Sequence, residues 1–372
     1  MDLAKPIPVF RIFGIQVNLD FSWFVVFFLV SYTLAEYFYP YYYPGYSTGV
    51  YWLFGALSAL LLFTSVLLHE LAHSLVARHY GLPVKNIYLF IFGGVAMIEE
   101  EAPSPKVEFL IAIAGPICSF LLGSLFFLIA YFYPENDIFN GLINYLMYVN
   151  FALAFFNLIP ALPLDGGRIL RAIIWAKKDL LTATKVSAFT GKAFAYFLML
   201  LGVLSLVKGN FLNAVWYFFL GWFLKNAAEV SYEQTKLSLL LSQYKVENFM
   251  QTLKPLLYSD TVMTLMTVYY PFYRVSTYPV IGNDGKIYIV SVKDASQIPQ
   301  HLWNETSIMS ITKPLEVYVS PYDNLYKAFK LMDRYNLDEI PVIYNNTVLG
   351  ILKRSAIETI LEKYFSEKKE SF

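Results

Sequence analysis

The sequence has few charged residues. Only 15% of its 372 residues are charged and 57% are hydrophobic, whereas a soluble domain carries about 25% charged and about 45–50% apolar residues. The shift is too large for a bigger core alone, so the composition indicates a membrane protein. Basic and acidic residues balance at 28 each, and the composition therefore predicts no nucleic-acid partner.

Cysteine and histidine are also scarce, with one cysteine and four histidines in the chain. Because Cys118 stands alone in an apolar run, the chain can form no internal disulfide. No short apolar core near the N-terminus is followed by a small-residue cleavage site, so we expect no removable signal peptide.

Long apolar runs dominate up to about residue 230, and charges recur every few residues after it. A helix needs about 20 apolar residues to cross a bilayer. We predict about six transmembrane helices, at residues 20–37, 51–76, 108–132, 141–163, 188–207 and 211–228. The expected fold is a polytopic α-helical membrane domain with short membrane-associated β-strands over 1–230, a helical linker over 231–247 and a soluble α+β domain over 248–372.

Lysine and arginine lie mostly in the loops on one side of these spans, which the positive-inside tendency assigns to the cytosol. The loops at 37–46 and 134–139 lie on the other side. We therefore expect a multi-pass integral membrane protein with both termini in the cytosol. Two cytosolic segments, 11–19 and 84–98, have the pattern of short strands. The second contains Gly93 and Gly94. Paired glycines form a turn or mark a place where another backbone approaches closely.

The segment from His69 to His73 reads His-Glu-Leu-Ala-His and continues an apolar run. Residues four apart share a helix face, so both imidazoles point the same way. Glu70 stands beside the first of them, which is the arrangement of two zinc ligands and a general base. Ionisable groups at membrane depth are costly and functional by default. This segment therefore predicts a catalytic zinc site.

A catalytic zinc needs a third protein ligand. His79 lies on a different helix face from His73, and His301 lies in the tail, so both are poor candidates. The remaining choice is a carboxylate at matching depth, and Asp165 stands at the cytosolic end of the fourth predicted span. Alone, Pro-x-Asp-Gly-Gly would be a turn. Asn157 supplies an amide donor at the same depth, suited to a developing oxyanion.

The chain resembles the site-2 protease family of intramembrane zinc metalloproteases over about residues 8–228. The resemblance rests on four motifs in this order: His69 to His73, Phe92-Gly93-Gly94, Ala114-Gly115-Pro116, and Asn157 to Arg168. One departure is that family members often have asparagine soon after Gly-Pro, where this chain has Cys118-Ser119.

The resemblance implies that His69, His73 and Asp165 bind one zinc ion per chain, that Glu70 activates water, and that Asn157 assists at the scissile carbonyl. The expected activity is that of a zinc metalloendopeptidase in regulated intramembrane proteolysis. Its substrates would be membrane proteins, cut within or near their transmembrane segments in the lipid bilayer.

The strands around Gly93 and Gly94 would, by the same resemblance, hold an extended substrate by edge pairing.

The tail repeats a helix followed by a strand pair, with Pro-Val-Ile at 279–281 and again at 341–343. It resembles a pair of CBS domains, modules that bind adenosine-containing ligands. The first copy keeps Ser291 and Asp294, which match the family's ribose contact, whereas the second copy has Lys353 and Ala356 there. The resemblance implies an adenine nucleotide that regulates the enzyme. The alternative is a CBS pair that only forms a homodimer.

Two other functions fit part of the pattern. A metal or ion transport protein gated by its CBS pair would explain two histidines and an aspartate within spans. It would not explain Glu70 beside the first histidine. A catalytically inactive scaffold would need neither intact ligands nor a base, so the sequence favours the protease.

Overall fold

The computed structural model describes residues 6–91, 93–98 and 101–369. Phe92, the first residue of the Phe-Gly-Gly motif, lies outside the described residues. The chain divides into two compact units, Met1–Thr235 and Lys236–Phe372. Because one helix runs through this division, from Phe211 to Leu241, the linker boundaries at 231 and 247 stay predictions.

The first unit is mainly helical. A helix that starts at Phe21 continues through a π-helical turn, Leu34–Phe38, so α1 and α2 form one rod. Polar N-caps fix where several helices start: Asp20 accepts from the backbone of Ser22, and Ser104 accepts from that of Val107. The helices are α1 (Phe21–Thr33), α2 (Tyr39–Tyr42), α3 (Thr48–His79), α4 (Pro105–Phe132), α5 (Ile138–Asn157), α6 (Asp165–Trp175), α7 (Leu180–Val207) and α8 (Phe211–Leu241).

Within the described residues, five helices are long and apolar enough to cross a membrane. They are Phe21–Tyr42, Thr48–His79, Pro105–Phe132, Ile138–Asn157 and Leu180–Val207. The unit is therefore an integral membrane domain. The sixth predicted span, 211–228, lies within α8, which is not among these five, and the count of six stays a prediction.

Three predicted boundaries were wrong. The fifth span was expected to start at residue 188, but α7 starts at Leu180. The fourth span was expected to run to residue 163, but α5 ends at Asn157. Pro160 and Pro163 have no N–H to continue the helical ladder, and a new helix, α6, begins at Asp165. Asp165 therefore opens a separate helix rather than ending the fourth span. The first helix also extends beyond 37, since α2 takes in part of the predicted loop at 37–46.

Four short strands form one sheet beside α3. They are β1 (Ile7–Ile12), β2 (Ile15–Leu19), β3 (Val84–Phe90) and β4 (Gly93–Ile98), in the order β1-β2-β3-β4. The segment 11–19 is thus a hairpin rather than one strand, because Phe13 and Gly14 form its turn at positive φ. The strand pair predicted within 84–98 is confirmed by the antiparallel pairing of β3 with β4.

One apolar core joins this sheet to the membrane helices. Ile15 and Ile87 of the sheet, Leu71 of α3 and Ile111 of α4 are buried in the same cluster. The cluster holds the sheet against the turn of α3 that carries the His-Glu-Leu-Ala-His segment. The position of β4 beside this turn therefore follows from hydrophobic burial.

The second unit contains two copies of the predicted helix and strand pair. In the first copy a short helical segment precedes β7 and β8, and in the second copy α12 precedes β10 and β11. Its elements are β5 (Gln251–Thr252), β6 (Leu256–Leu257), α9 (Val262–Thr264), α10 (Tyr270–Tyr273), β7 (Thr277–Ile281), β8 (Ile287–Ser291), α11 (Val292–Ser296), β9 (Lys313–Pro314), α12 (Leu325–Arg334), β10 (Glu339–Tyr344), β11 (Thr347–Lys353) and α13 (Arg354–Lys369).

These strands make two sheets, in the orders β6-β7-β8-β9 and β10-β11-β5. The strand β5 precedes the first copy along the chain but pairs with β11 of the second copy. Glu339 adds a second link, since its Oε2 accepts hydrogen bonds from Ser276 and Thr277, on the first copy. The two copies therefore form one α+β unit.

Candidate metal centre and active site

The helix α3 carries both histidines of the predicted site, and they point to the same side. His69 and His73 are 3% and 4% exposed, and their ring centroids lie 4.8 Å apart. The spacing of four residues places them one helical turn apart. Burial of two imidazoles in an apolar helix requires polar partners for their nitrogen atoms.

Asp165 supplies the third group. Its Oδ2 lies 3.1 Å from Nε2 of His69 and 3.1 Å from Nε2 of His73. The two Nε2 atoms lie 3.2 Å from each other. These are the three residues predicted to bind the metal, and the structure brings them together in one buried cluster.

The other ring nitrogens determine what this cluster can bind. Nδ1 of His73 lies 2.6 Å from the carbonyl oxygen of Ile111. A carbonyl only accepts, so this Nδ1 carries a proton and Nε2 is the nitrogen available to bind a metal. Nδ1 of His69 lies 2.9 Å from Ser119 Oγ, a hydroxyl that can accept from it. Nε2 of His69, Nε2 of His73 and Oδ2 of Asp165 then face one point. Only a cation or a proton at that point can satisfy these acceptors.

The separations fit a tetrahedral ion. Zinc bonds to histidine nitrogen and carboxylate oxygen at about 2.0–2.1 Å, which places tetrahedral ligands roughly 3.3 Å apart. The donor atoms here lie 3.1 to 3.2 Å apart. Two histidines and a carboxylate are a known ligand set of catalytic zinc sites, with the fourth position left for water. The residues therefore fit a zinc ion.

The loop before α6 brings Asp165 to the histidines. A Cβ on Gly166 would overlap the backbone of Leu158 and Ile159, and one on Gly167 would overlap that of Ala161. The backbone of this loop therefore approaches both glycines closely. This close approach makes the turn between α5 and α6 compact, and the turn directs Asp165, the first residue of α6, inward.

The helix α4 packs directly against the two imidazoles. A Cβ on Gly115 would overlap Nε2 of both His69 and His73. Ile111 and Ser119, on the same face of α4, contact the Nδ1 atoms. The departure at Cys118-Ser119 thus includes a direct contact to the His69 ring. The sequence analysis missed these contacts because it placed no residue of α4 in the site.

Glu70 points toward the strand β4. Its Oε2 accepts a hydrogen bond of 3.2 Å from the backbone N–H of Ala96. A Cβ on Gly94 would overlap the Glu70 side chain at Cγ, so glycine lets the strand backbone lie against it. In the part of the chain that the structure describes, β4 pairs only with β3 and ends the sheet.

The remaining predicted residues lie in other surroundings. The amide of Asn157 donates to the carbonyl of Leu153 in its own helix at 3.0 Å. His79 ends α3 with its ring against Tyr80. Neither His79 nor His301 belongs to the metal cluster found among the described residues.

The predicted nucleotide contacts lie where β8 passes into α11. Ser291 Oγ accepts from the backbone N–H of Lys293 and caps the helix. Asp294 Oδ2 accepts from Lys313 Nζ at 2.9 Å. This arrangement places a hydroxyl, a carboxylate and an ammonium group in one region of the tail.

The comparisons with known proteins agree with this geometry. The chain is 31% identical over 372 residues to sll0528 of Synechocystis, a candidate zinc metalloprotease by its name, and the match covers 96% of this chain and 95% of the relative. The model of peptidase family M50 matches residues 57–201. The chain belongs to peptidase family M50. It is a zinc metalloprotease of the site-2 type, and the CBS domain model matches residues 308–362 of its tail.

Two further proteins resemble this M50 peptidase. Rip3 of Mycobacterium tuberculosis H37Rv, also named as a candidate zinc metalloprotease, is 35% identical over 374 residues, which cover 97% of this chain and 94% of Rip3. The solved structure of the site-2 protease from Methanocaldococcus jannaschii is 36% identical, covers 61% of this chain and 95% of that one, and has a TM-score of 0.45.

The contact between Gly115 and the imidazoles gives a first prediction. Gly115→Ala introduces a methyl group where the Nε2 atoms lie, so the rings must turn away. We expect the zinc affinity of the purified full chain to fall about 10–100-fold, the range for changes around metal ligands. Competition with a chelator measures it. Gly49→Ala is the matched control, since no atom lies within 4 Å of its added Cβ. Equal zinc affinity in both variants would contradict the prediction.

Proposed function

We propose that this chain hydrolyses peptide bonds within or near the transmembrane segments of membrane-protein substrates. His69, His73 and Asp165 would hold one zinc ion, and Glu70 would be the general base. The observation that carries the proposal is the convergence of three buried acceptor atoms at separations that suit zinc.

A bound zinc ion would lower the pKa of its water toward about 7 and polarise the scissile carbonyl. Glu70 would accept a proton from the attacking water and return it to the leaving amine. The Nδ1 atoms of His69 and His73 are hydrogen-bonded to Ser119 and Ile111, so these contacts would orient both Nε2 atoms toward the ion. Burial of all three ligands excludes bulk water from the cluster.

The strand β4 is the proposed binding edge for substrate. A peptide bond inside a bilayer is shielded within a helix, so the substrate must unwind before hydrolysis. An unwound segment can pair with a sheet edge through backbone hydrogen bonds. Gly93 and Gly94 lie at the start of this edge, and the backbone at Gly94 lies against Glu70. A substrate paired here would lie beside the general base.

Asn157 is proposed to assist at the scissile carbonyl. Its Nδ2 donates to the carbonyl of Leu153, so this role requires the side chain to turn from its own helix toward the substrate. Transport of a metal ion would use the same ligands but gives no role to Glu70. No contact in the described part of the chain favours transport.

The mechanism predicts that Glu70→Gln keeps zinc and loses cleavage, because an amide cannot accept the proton. We expect turnover of transmembrane peptides by purified protein in detergent to fall by about 10²–10⁴-fold. Asp165→Asn is the contrasting variant and should lose zinc as well as activity. Near wild-type turnover by Glu70→Gln would exclude this residue as the base.

We propose that both termini lie in the cytosol, on the side of the lysine-rich and arginine-rich loops. Single cysteines at Glu135, Lys177 or Lys293 in a Cys118→Ala background test this in intact cells. A membrane-impermeant maleimide should label Glu135→Cys from outside. It should not label Lys177→Cys or Lys293→Cys until the cells are opened. External labelling at Lys293→Cys would remove the tail from the cytosol.

We also propose that the CBS pair binds an adenine nucleotide and regulates cleavage. In this proposal Asp294 binds the ribose hydroxyls, and Lys313, whose Nζ donates to Asp294 at 2.9 Å, contacts phosphate oxygens. A ligand changes activity only if it prefers one of two states of the enzyme. The proposal therefore requires a nucleotide effect on the cleavage rate as well as binding.

Calorimetry of the full chain with ATP, ADP and AMP tests the tail. We expect one of them to bind and to change the cleavage rate, and we expect Asp294→Ala to abolish both effects. Glu316→Ala, an exposed carboxylate in the same unit, is the control. If none binds at millimolar concentration, the tail is a homodimerisation element instead, which light scattering of the purified protein would show.

A further inference from the structure

One face of α4 contacts both imidazoles of the metal centre and the helix that carries Asp165. Glu108, Ile111, Gly115 and Ser119 are spaced three and four residues apart, so they line one stripe of the helix. Ser119 and Ile111 contact the two Nδ1 atoms, and Gly115 lies against the rings. Glu108 is the remaining member of this stripe, and its contact is with α6, the helix that begins at Asp165.

Glu108 forms a buried ion pair with Arg171. The carboxylate is 1% exposed, and its Oε1 accepts hydrogen bonds from both Nε and Nη2 of the guanidinium, the first at 2.6 Å. The Arg171 side chain is 17% exposed. Two donors on one oxygen fix the direction of the arginine as well as its distance.

Stability alone is a weak reason for such a pair. Taking two charges out of water costs several kcal/mol per ion, and apolar replacements of a buried pair are often as stable. The carboxylate also has a second oxygen, Oε2, that accepts no hydrogen bond among the described residues. The pair fixes the position of α6 relative to α4 through directional hydrogen bonds, which apolar side chains cannot form.

That geometry reaches the metal ligand through a short helix. Arg171 follows Asp165 by six residues in α6, which spans roughly 9 Å at about 1.5 Å per residue. Arg168 lies between them along α6, and its Nη1 is 3.9 Å from Asp165 Oδ1. A shift of Arg171 relative to α4 would therefore move the Asp165 carboxylate relative to the two histidines. The rings of these histidines are in contact with α4.

We propose that Glu108 and Arg171 are a positioning pair that sets the place of Asp165 against His69 and His73. In this proposal the pair does not bind metal or substrate itself and acts through α6. This inference rests on the proposed zinc site. It assigns to Glu108 and Arg171 a role in metal affinity that differs from a role in holding the helices together.

The test compares zinc affinity with stability in the full chain in detergent. Glu108→Gln keeps the size of the side chain and removes its charge. The double variant Glu108→Leu, Arg171→Met replaces the pair by apolar groups of similar length. Lys225→Gln is the control, since it removes another ion pair of the same unit, with Glu229 of α8. Zinc affinity is measured by chelator competition, and unfolding temperature by a thermal scan without metal.

A second readout is the visible absorption of cobalt(II), which responds to the geometry of its ligands. We expect Glu108→Gln and the double variant to bind zinc about 10–100-fold more weakly than wild type, the range for changes around metal ligands. Their cobalt spectra should be altered. The double variant should unfold near the wild-type temperature, and Lys225→Gln should match wild type in both metal measurements.

Three results would overturn the proposal. If the double variant is stable and binds zinc with the wild-type affinity and cobalt spectrum, the pair only packs the helices. If the affinity loss in Glu108→Gln is matched by Lys225→Gln, the effect is not specific to the pair. If wild type binds no zinc, the proposed metal site fails and this inference with it, so the two failures are distinguishable.

Discussion

The need to satisfy two buried imidazoles and a buried carboxylate governs the arrangement of the membrane unit. Each histidine uses one nitrogen for α4 and turns the other toward Asp165. Three lone pairs facing one another would repel without a cation between them. The contacts around the cluster, from Gly115 to the turn before α6, therefore hold acceptors at separations that are favourable only with a cation or a proton between them.

The parts of the site that follow helical periodicity could be predicted from the sequence. His69 and His73 share a face because they are four residues apart, and Asp165 was found as the carboxylate at matching depth. The α4 contacts could not be predicted in the same way. In a helix that is apolar all round, periodicity does not show which face meets a neighbour. The available signal was Glu108, a lone carboxylate at the start of an apolar run.

The same limit applies to the α+β fold of the tail. The repeated Pro-Val-Ile runs predicted the strand pairs at β7–β8 and β10–β11, because apolar β-branched runs bounded by turns form buried strands. The pairing of β5 with β11 could not be predicted, since it joins two residues to a strand about 100 positions away. Strands of two residues carry no periodicity of their own.

The hydrogen bond from Ala96 to Glu70 has a further consequence. A backbone N–H serves one acceptor well at a time. A peptide that added to β4 and took the Ala96 N–H would leave the Glu70 carboxylate with a free oxygen. Binding of a peptide at the strand edge would then itself release Glu70 for proton transfer, because the Ala96 N–H would change its acceptor from Glu70 to the peptide. Without a peptide on β4, the Glu70 carboxylate would stay hydrogen-bonded to the Ala96 N–H.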